Sequence, residues 1–482
     1  MSDLLEHLQK LQKSDEYPFH MPGHKRNIGL DFTDSPYGID ITEIDGYDNL
    51  YEAEGILNDA MKRAAKVCGA EETFFLVNGS TVGILAAITG VTDPGDRILV
   101  ARNCHKAVFH AMELRQLQAV YLHPEYIEEW DLLGHINVEE VYCQLKKYPD
   151  IKAVVITSPT YDGIVSPVRE IAVAAHEAGI PLIVDEAHGA HFPYDERFPE
   201  SAIQSGADVV VQSMHKTLPS FTQTALLHMK KGFANVEHIR EYVGFYQTSS
   251  PSYLFMAGMD KCMSLIEEKG SQLWDDFFDL RNDFFQKIKG LDYIRIYKDN
   301  EPGKLVISVK NTVMTGRELH EILLHKYHIQ MEMAAETYVL GIITISDTKE
   351  GFDRLAEALL SIDKELKDAN LPRKAGEVTH FEPAKSSETV KNFYAEVLES
   401  EDVVYSLSEI RRMKKEKIPF LQAENRVIVD YVNLYPPGIP LLIPGERIMA
   451  KHISLIQGYL AKRMNIQGIT DGNIWVCCHN EG

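Results

Sequence analysis

Short apolar runs alternate with amphipathic stretches along the first half of the chain. Several of these runs are apolar nearly throughout, as is typical of strands that are covered on both faces. The predicted strands are residues 73–77, 97–101, 119–122, 153–157, 181–184, 209–212 and 223–229. Helical periodicity fills most of the intervals, at residues 82–89, 107–114, 138–147 and 168–178. This alternation predicts an α/β fold with a mainly parallel, doubly wound sheet.

The pattern changes on either side of this region. Residues 1–40 combine one helical stripe with a loop rich in proline and glycine, and they predict an N-terminal arm and an entrance loop. We expect a large domain at residues 41–295 and a small α+β domain at residues 296–370. A polar, proline-containing linker then leads into a predicted C-terminal α+β domain at residues 371–482.

Composition narrows the class of protein. The 482 residues include 49 Lys and Arg against 71 Asp and Glu, a net charge of −22 that disfavours nucleic-acid binding. No apolar run reaches the roughly 18–20 residues of a membrane helix. The six cysteines are dispersed without a CxxC spacing, and residues 1–16 do not resemble a signal peptide. We therefore expect a cytoplasmic protein without nucleic-acid or membrane partners.

Lys216 lies in the motif QSMHKT, directly after a predicted strand and near Ser213 and His215. A lysine that is removed from bulk water at a strand exit can form a Schiff base with a carbonyl compound. A lone lysine is more often a solvated surface residue. The motif alone leaves both interpretations open.

Asp185 and His188 lie in IVDEAHGAH, where a predicted strand ends. Open α/β sheets bind ligands at the carboxyl ends of their strands, so an acid and an imidazole there favour a binding site. A metal-binding pair is one alternative. Another is a helix N-cap at Asp185 beside a structural histidine.

Two further motifs follow predicted strands. In LVNGSTVG, Gly79, Ser80 and Thr81 begin a predicted helix and suit an anion, although Ser80 as a simple N-cap explains the pattern equally well. In RNCHK, His105 suits either stacking on a planar ring or acid–base chemistry, and a capping histidine is the alternative.

In type, order and spacing, these motifs resemble those of the bacterial ornithine/lysine/arginine decarboxylases, which are fold-type-I pyridoxal-phosphate (PLP) enzymes. HMPGHKRN, TSPTYDG and YPPGIPLLIPGE add to the resemblance, which runs from residue 20 to residue 446. It implies an aspartate-aminotransferase-like large domain that binds PLP and no metal. It also implies a homodimer or larger homo-oligomer with its sites at the dimer interface.

The resemblance assigns roles to individual residues. Lys216 would bind PLP as a Schiff base, Asp185 would pair with the pyridine nitrogen, and His188 would approach the phenolic oxygen. His105 would stack on the ring, and either His215 or Lys216 would return a proton to Cα. The other implied cofactor contacts are Gly79, Ser80, Thr81, Thr160, Ser213, His215 and, from the partner subunit, Ser249.

The implied reaction is decarboxylation of a basic L-amino acid through the Schiff base and a quinonoid intermediate. Arginine is slightly favoured over lysine, and ornithine comes third. The candidate partners for the distal cation of the substrate are Glu332, Glu446 and Asp162, and His24 would line the entrance. An aminotransferase or lyase on the same fold is the alternative, for which Arg317 and Arg354 are available in helical stretches that look solvated.

Overall fold

Seven strands form the central sheet of this computed structural model, which describes residues 14–23, 25, 40–368, 402–434, 439–461 and 465–478. The helical stripe predicted before residue 14, the candidate His24 and most of the predicted linker lie outside the described residues. Every described helix is too short or too polar to cross a bilayer.

All seven predicted strands occur, with ends that differ by at most two residues from the prediction. The strands as far as residue 229 are β1 (Tyr17–Phe19), β2 (Glu72–Leu76), β3 (Arg97–Ala101), β4 (Gln118–Leu122), β5 (Pro124–Ile127), β6 (Leu132–Ile136), β7 (Ile151–Thr157), β8 (Leu182–Asp185), β9 (Val209–Ser213) and β10 (Ala225–Met229). The central sheet has the order β2-β10-β9-β8-β7-β3-β4, and only β10 runs antiparallel to its neighbours. The hairpin of β5 and β6 was not predicted.

Helices connect and cover these strands. They are α1 (Ile56–Cys68), α2 (Ser80–Val91), α3 (Lys106–Arg115), α4 (Val138–Lys147), α5 (Val168–Glu177), the single turn α6 (Met214–Thr217), α7 (Val236–Tyr246) and the long α8 (Tyr253–Lys287). Helix α2 is apolar on nearly every side and is buried between the sheet and α7. Its Gly90 is required by this packing, because a Cβ there would lie 2.7 Å from Cα of Ile239 in α7.

A second, smaller sheet follows α8. Its elements are β11 (Arg295–Ile296), β12 (Lys304–Ser308), α9 (Gly316–Tyr327), β13 (Ile329–Met331), β14 (Met333–Ala334), β15 (Tyr338–Ile342) and α10 (Lys349–Asp368). Four strands pair antiparallel in the order β11-β12-β15-β14. Strand β1 pairs in parallel with β13, so the segment of the MPG motif is attached to this smaller unit. The predicted boundary after residue 295 falls inside β11.

The C-terminal part has its own small core. Its elements are α11 (Leu407–Ile410), β16 (Lys415–Pro419), β17 (Val432–Leu434), β18 (Ile439–Leu442), α12 (Ala450–Ala461), β19 (Ile466–Gln467) and β20 (Asn473–Cys477). The mixture of helix and strand agrees with the α+β prediction. Phe420, Ile428, Leu441, Ile448 and Ile474 are among the apolar residues buried together there.

The polar motifs come together because parallel strands end at one edge of the sheet. Thr157 of β7 lies opposite Asp185 of β8, and Asp185 lies opposite Val211 of β9. The chain then turns into α6 immediately after Ser213, which places Lys216 at this edge.

Candidate functional site

Lys216 reaches the centre of the strand-end edge from α6. Its Nζ lies 3.1 Å from Nε2 of His188. Burial lowers the pKa of Lys216, although the nearby Asp185 carboxylate acts in the opposite direction. A lysine with a lowered pKa is more often an uncharged amine near neutrality, which is the nucleophilic form.

Asp185 is the last residue of β8 and is 5% exposed. Its Oδ1 accepts a hydrogen bond of 3.1 Å from the backbone N–H of Ala187. Burial raises the pKa of Asp185, and the charge of Lys216 partly offsets this. A buried carboxylate in this position suits a cationic ring nitrogen, which would stabilise its charged form.

His188 lies between two lysines. Its Nε2 faces Lys216, and its Nδ1 lies 3.2 Å from Nζ of Lys304. The ring of Tyr161 packs edge-on against it, with 4.8 Å between the ring centroids. Burial and the neighbouring lysines hold the pKa of His188 well below its usual range, so the ring is neutral. Both ring nitrogens are engaged, which does not fit the metal-pair interpretation of Asp185 and His188.

His105 and His215 have separate hydrogen-bond roles. His105 is the N-cap of α3, where its Nδ1 accepts a bond of 3.2 Å from the N–H of Ala107, and burial lowers its pKa to about 3. His215 Nδ1 donates to the carbonyl oxygen of Thr224 at 3.0 Å, and burial lowers its pKa to about 4. The capping alternative for His105 is therefore observed, while stacking on a ring stays a prediction.

The donors at this edge fit the phosphate and ring of PLP. Helix α2 begins at Ser80, after Gly79 with a φ of +78°, and no side chain of the described residues caps its N-terminus. Ser213 Oγ and Thr217 Oγ1 are buried, and neither has a hydrogen-bond partner among the described residues. A buried hydroxyl without a partner costs about 1–3 kcal/mol, so a ligand with acceptor oxygens would stabilise this arrangement.

Two other predicted cofactor contacts lie in loops. The buried Thr160 accepts a bond of 3.0 Å from the N–H of Ile164 through its Oγ1, so its hydroxyl stabilises the turn of TSPTYDG. Ser249 is exposed. Its neighbour Thr248 donates its N–H to Oδ1 of Asn78 at 3.1 Å, which places this loop beside LVNGSTVG of the same chain. A contact of Ser249 with a partner subunit stays a prediction.

Glu332 lies between β13 and β14, on the side of the smaller sheet that faces the edge. Its Oε1 accepts from the hydroxyl of Tyr161, and its Oε2 accepts a bond of 2.9 Å from the N–H of Met21. Tyr161 also contacts His188, and the charge of Glu332 acts on the pKa of Lys216. The structure thus brings Glu332 close to Lys216.

Asp162, the second candidate for the distal cation, is in the same turn as Tyr161. Its Oδ1 accepts a bond of 2.9 Å from the hydroxyl of Tyr338, and burial raises its pKa to about 6. Its charge also acts on the buried Lys304. Asp162 therefore has two partners within the protein.

Glu446, the third candidate, is buried against the end of β3. Its Oε1 lies 3.6 Å from Nη2 of Arg102, and its Oε2 accepts a bond of 2.8 Å from the N–H of Ile443. Arg102 Nη1 also donates to the carbonyl oxygen of Pro440 at 2.7 Å. These contacts join the C-terminal part to the central sheet and give Glu446 a structural role.

Glu446→Ala is expected to lower the free energy of unfolding by about 3–5 kcal/mol, because it leaves the charge of Arg102 buried without its partner. Chemical denaturation followed by circular dichroism would measure the loss. The exposed Glu424 provides a control, since Glu424→Ala removes a glutamate of the same region that lies at the surface. Equal stabilities for the two variants would contradict the structural role.

Sequence comparison identifies the family. A family model described as "Orn/Lys/Arg decarboxylase, major domain" matches residues 2–354, and one for the C-terminal domain matches residues 387–468. The chain belongs to the Orn/Lys/Arg decarboxylase family. It is 31% identical to an arginine decarboxylase of Bacillus subtilis over 97% of this chain and 95% of that protein. It is 32% identical to an arginine decarboxylase of Halalkalibacterium halodurans over 95% of this chain and 93% of that protein.

Structure comparison confirms the fold of this family member. The lysine decarboxylase LdcF of Francisella novicida superimposes with a TM-score of 0.77 at 20% identity, covering 98% of this chain and 80% of that one. A ureidoglycine–glyoxylate aminotransferase of Bacillus subtilis, at 16% identity, covers 67% of this chain and 87% of that one with a TM-score of 0.53. The predicted fold class and the predicted family are therefore both correct.

Sequence reasoning missed three residues near the site of this family member, namely Tyr161, Lys304 and Glu301. Lys304 could have been found from the sequence, because it is the one charged residue of the otherwise apolar run KLVI. In the structure this run is part of β12 and is completely buried. A lysine in such a strand must meet a polar partner in the interior. No comparable pattern distinguishes Tyr161 or Glu301 from other residues of their loops.

Proposed function

We propose that this protein is a PLP-dependent decarboxylase of a basic L-amino acid and that it acts on arginine in preference to lysine and then ornithine. The observation that carries this proposal is the half-buried Lys216 amine, which lies beside His188 and Asp185 at the strand ends. The reaction would release CO2 and the corresponding amine. The family and the names of its relatives support this reaction class.

The cofactor and the site residues would supply different parts of the chemistry. PLP, when bound, supplies an electron sink for the pair of electrons that CO2 leaves behind. The Asp185 carboxylate would hold the proton on the ring nitrogen, and the Ser213 hydroxyl with the N-terminal amides of α2 would bind the phosphate. Lys216, whose pKa is lowered by desolvation, would attack the cofactor carbonyl in its uncharged form, and the carbonyl oxygen would leave as water.

The reaction also consumes one proton, which must be delivered to Cα. His215 carries its hydrogen on Nδ1, where it bonds to Thr224, so its Nε2 is bare. A pKa of about 4 makes His215 a poor proton source near neutrality. We therefore assign the proton transfer to Lys216, which is in its ammonium form for part of the time.

The preference for arginine rests on the carboxylate of Glu332. A guanidinium group is planar and can bind both oxygens of a carboxylate at once, whereas an ammonium group acts as a point charge. Each Glu332 oxygen accepts one hydrogen bond inside the protein and keeps a second lone-pair direction. The names of the Bacillus subtilis and Halalkalibacterium relatives agree with this preference.

The aminotransferase alternative requires an arginine that grips the α-carboxylate. The two candidates pair with acids of their own helices instead, Arg317 at an exposed position and Arg354 at a half-buried one. Arg317 pairs with Glu321 at 3.1 Å, and Arg354 pairs with Glu350 at 3.1 Å, each on its own helix. This placement favours decarboxylation over transamination.

The proposal includes a cytoplasmic homodimer, as the family resemblance implies. All six cysteines are free thiols, which suits a reducing compartment.

The deciding experiment compares CO2 release from arginine, lysine and ornithine by the PLP-loaded protein. We expect release from all three, with the highest kcat/KM for arginine. A parallel incubation with each amino acid and 2-oxoglutarate tests for transamination. Formation of glutamate without CO2 would overturn the decarboxylase proposal in favour of its alternative.

A further inference from the structure

Lys304 is a buried lysine that has no role in the proposed decarboxylation steps. It is the first residue of β12 and has no exposed surface. Its Nζ lies 3.2 Å from Nδ1 of His188 and 3.6 Å from Oε1 of Glu301. Glu301 is buried as well and accepts from His191 at 3.1 Å. Burial lowers the pKa of Lys304, whereas the carboxylates of Glu301, Glu332 and Asp162 act in the opposite direction and favour its ammonium form.

When Lys304 is an ammonium group, its hydrogen bond with His188 has only one possible direction. An ammonium group has hydrogens to donate and no lone pair to accept, so Nδ1 of His188 must be the acceptor. A neutral imidazole carries a single hydrogen, which then resides on Nε2. That hydrogen faces Nζ of Lys216, which is 3.1 Å away.

We propose that Lys304 is a positioning residue that fixes His188 as an Nε2–H donor, so that His188 donates to the Lys216 amine and holds it in its unprotonated form. The series of hydrogen bonds runs from Lys304 as first donor, through His188, to the Lys216 amine as final acceptor. It crosses from the smaller sheet to the central sheet, so the smaller unit takes part in preparing the nucleophile. The inference rests on the proposed function in taking Lys216 as that nucleophile.

The turn of TSPTYDG holds both members of the pair in place. Tyr161 packs edge-on against His188, and Gly163 lies over the stem of Lys304. Gly163 has a φ of +91°, and a Cβ there would lie 2.7 Å from Cγ of Lys304. The carbonyl oxygen of Gly163 accepts from the N–H of Glu301 at 2.8 Å. One turn therefore positions the donor, its acceptor and its counter-ion.

Other charged groups also face Lys216. Asp185 from β8 and Glu332 from the smaller sheet favour its charged form, whereas the charge of Lys304 and burial disfavour it. A test must therefore separate the charge of Lys304 from its hydrogen bond. Lys304→Met and Lys304→Gln make this separation, since both remove the charge and only glutamine keeps a donor for Nδ1.

The measurement uses the apoprotein and acetic anhydride, which acetylates unprotonated amines. Acetylation of Lys216 is quantified by mass spectrometry over a range of pH, and the midpoint reports the protonation of this amine. In Lys304→Met, Nδ1 of His188 is free to carry the hydrogen, and Nε2 then accepts from a protonated Lys216. We expect the midpoint to rise by about one pH unit. We expect a clearly smaller rise in Lys304→Gln.

His188→Gln provides the control for a direct effect of charge. In that background the tautomer no longer exists, so Lys304→Met and Lys304→Gln should give equal midpoints. Equal midpoints of the two variants in the native background, or no shift in either, would overturn the proposal. Thermal unfolding monitored by circular dichroism verifies that each variant is folded.

A second measurement needs no change at Lys304. In apoprotein labelled with ¹⁵N-histidine, the His188 resonances are identified by their loss in His188→Gln. We expect a bare Nδ1 and a protonated Nε2, and the opposite tautomer would overturn the proposal. Neither measurement involves a substrate or PLP. A failure to release CO2 would therefore count against the proposed function and leave these results as they stand.

Discussion

Lys216→Ala is expected to lower the rate of CO2 release roughly 10⁴-fold or more, because the amine that would bond to the cofactor carbonyl is lost. The buried pocket would also lose the charge that partly offsets the raised pKa of Asp185. Two measurements check this: CO2 release under saturating arginine, and the borohydride-sensitive visible absorbance of the PLP-loaded protein. Both signals should be missing from the variant.

Lys349→Ala is the matched control for this variant. The Lys349 side chain is 62% exposed and pairs with Asp353 on the same helix. It is not one of the residues assigned to the site. This variant should keep the native rate and the native absorbance. A Lys216→Ala protein that is folded and retains most of the native rate would show that the nucleophile lies elsewhere.

The central sheet could be predicted because each strand carries its own local signal. The run VVVQ of β9 is apolar on both faces, and a helix-forming segment follows most of the other strands. Once the sheet is parallel, the motifs at the strand ends must share one edge. Asp185, His188, Lys216 and Ser80 were therefore predictable as neighbours without any knowledge of their distances.

The smaller sheet contributes site residues whose position could not be predicted from the sequence. Lys304 is the first residue of β12, and Glu332 lies at the junction of β13 and β14. The two residues follow Lys216 by 88 and 116 positions in the sequence. No local pattern encodes where a second sheet is placed relative to the first. Glu446 shows a related limit, since its motif suggested substrate binding but did not reveal its pairing with Arg102.

Glu332→Gln is expected to lower kcat/KM for arginine by roughly 10³-fold, because the variant keeps the size of the side chain and removes the negative charge. The loss of one partner from a desolvated charge pair costs about 2–5 kcal/mol. The effect should be larger for arginine than for lysine, since only a guanidinium group uses both carboxylate oxygens. Steady-state kinetics with both substrates would measure the ratio.

Asp162→Asn is the comparison variant that tests whether Glu332, rather than Asp162, binds the distal cation. It also removes one carboxylate from the same region, but Asp162 bonds to Tyr338 and faces Lys304 rather than Met21 and the entrance segment. If Glu332 binds the distal cation, Glu332→Gln raises KM far more than Asp162→Asn. The reverse order would move the recognition of the substrate to Asp162. Glu350→Gln, at a side chain that is 79% exposed, shows how much a surface charge contributes by long-range attraction alone.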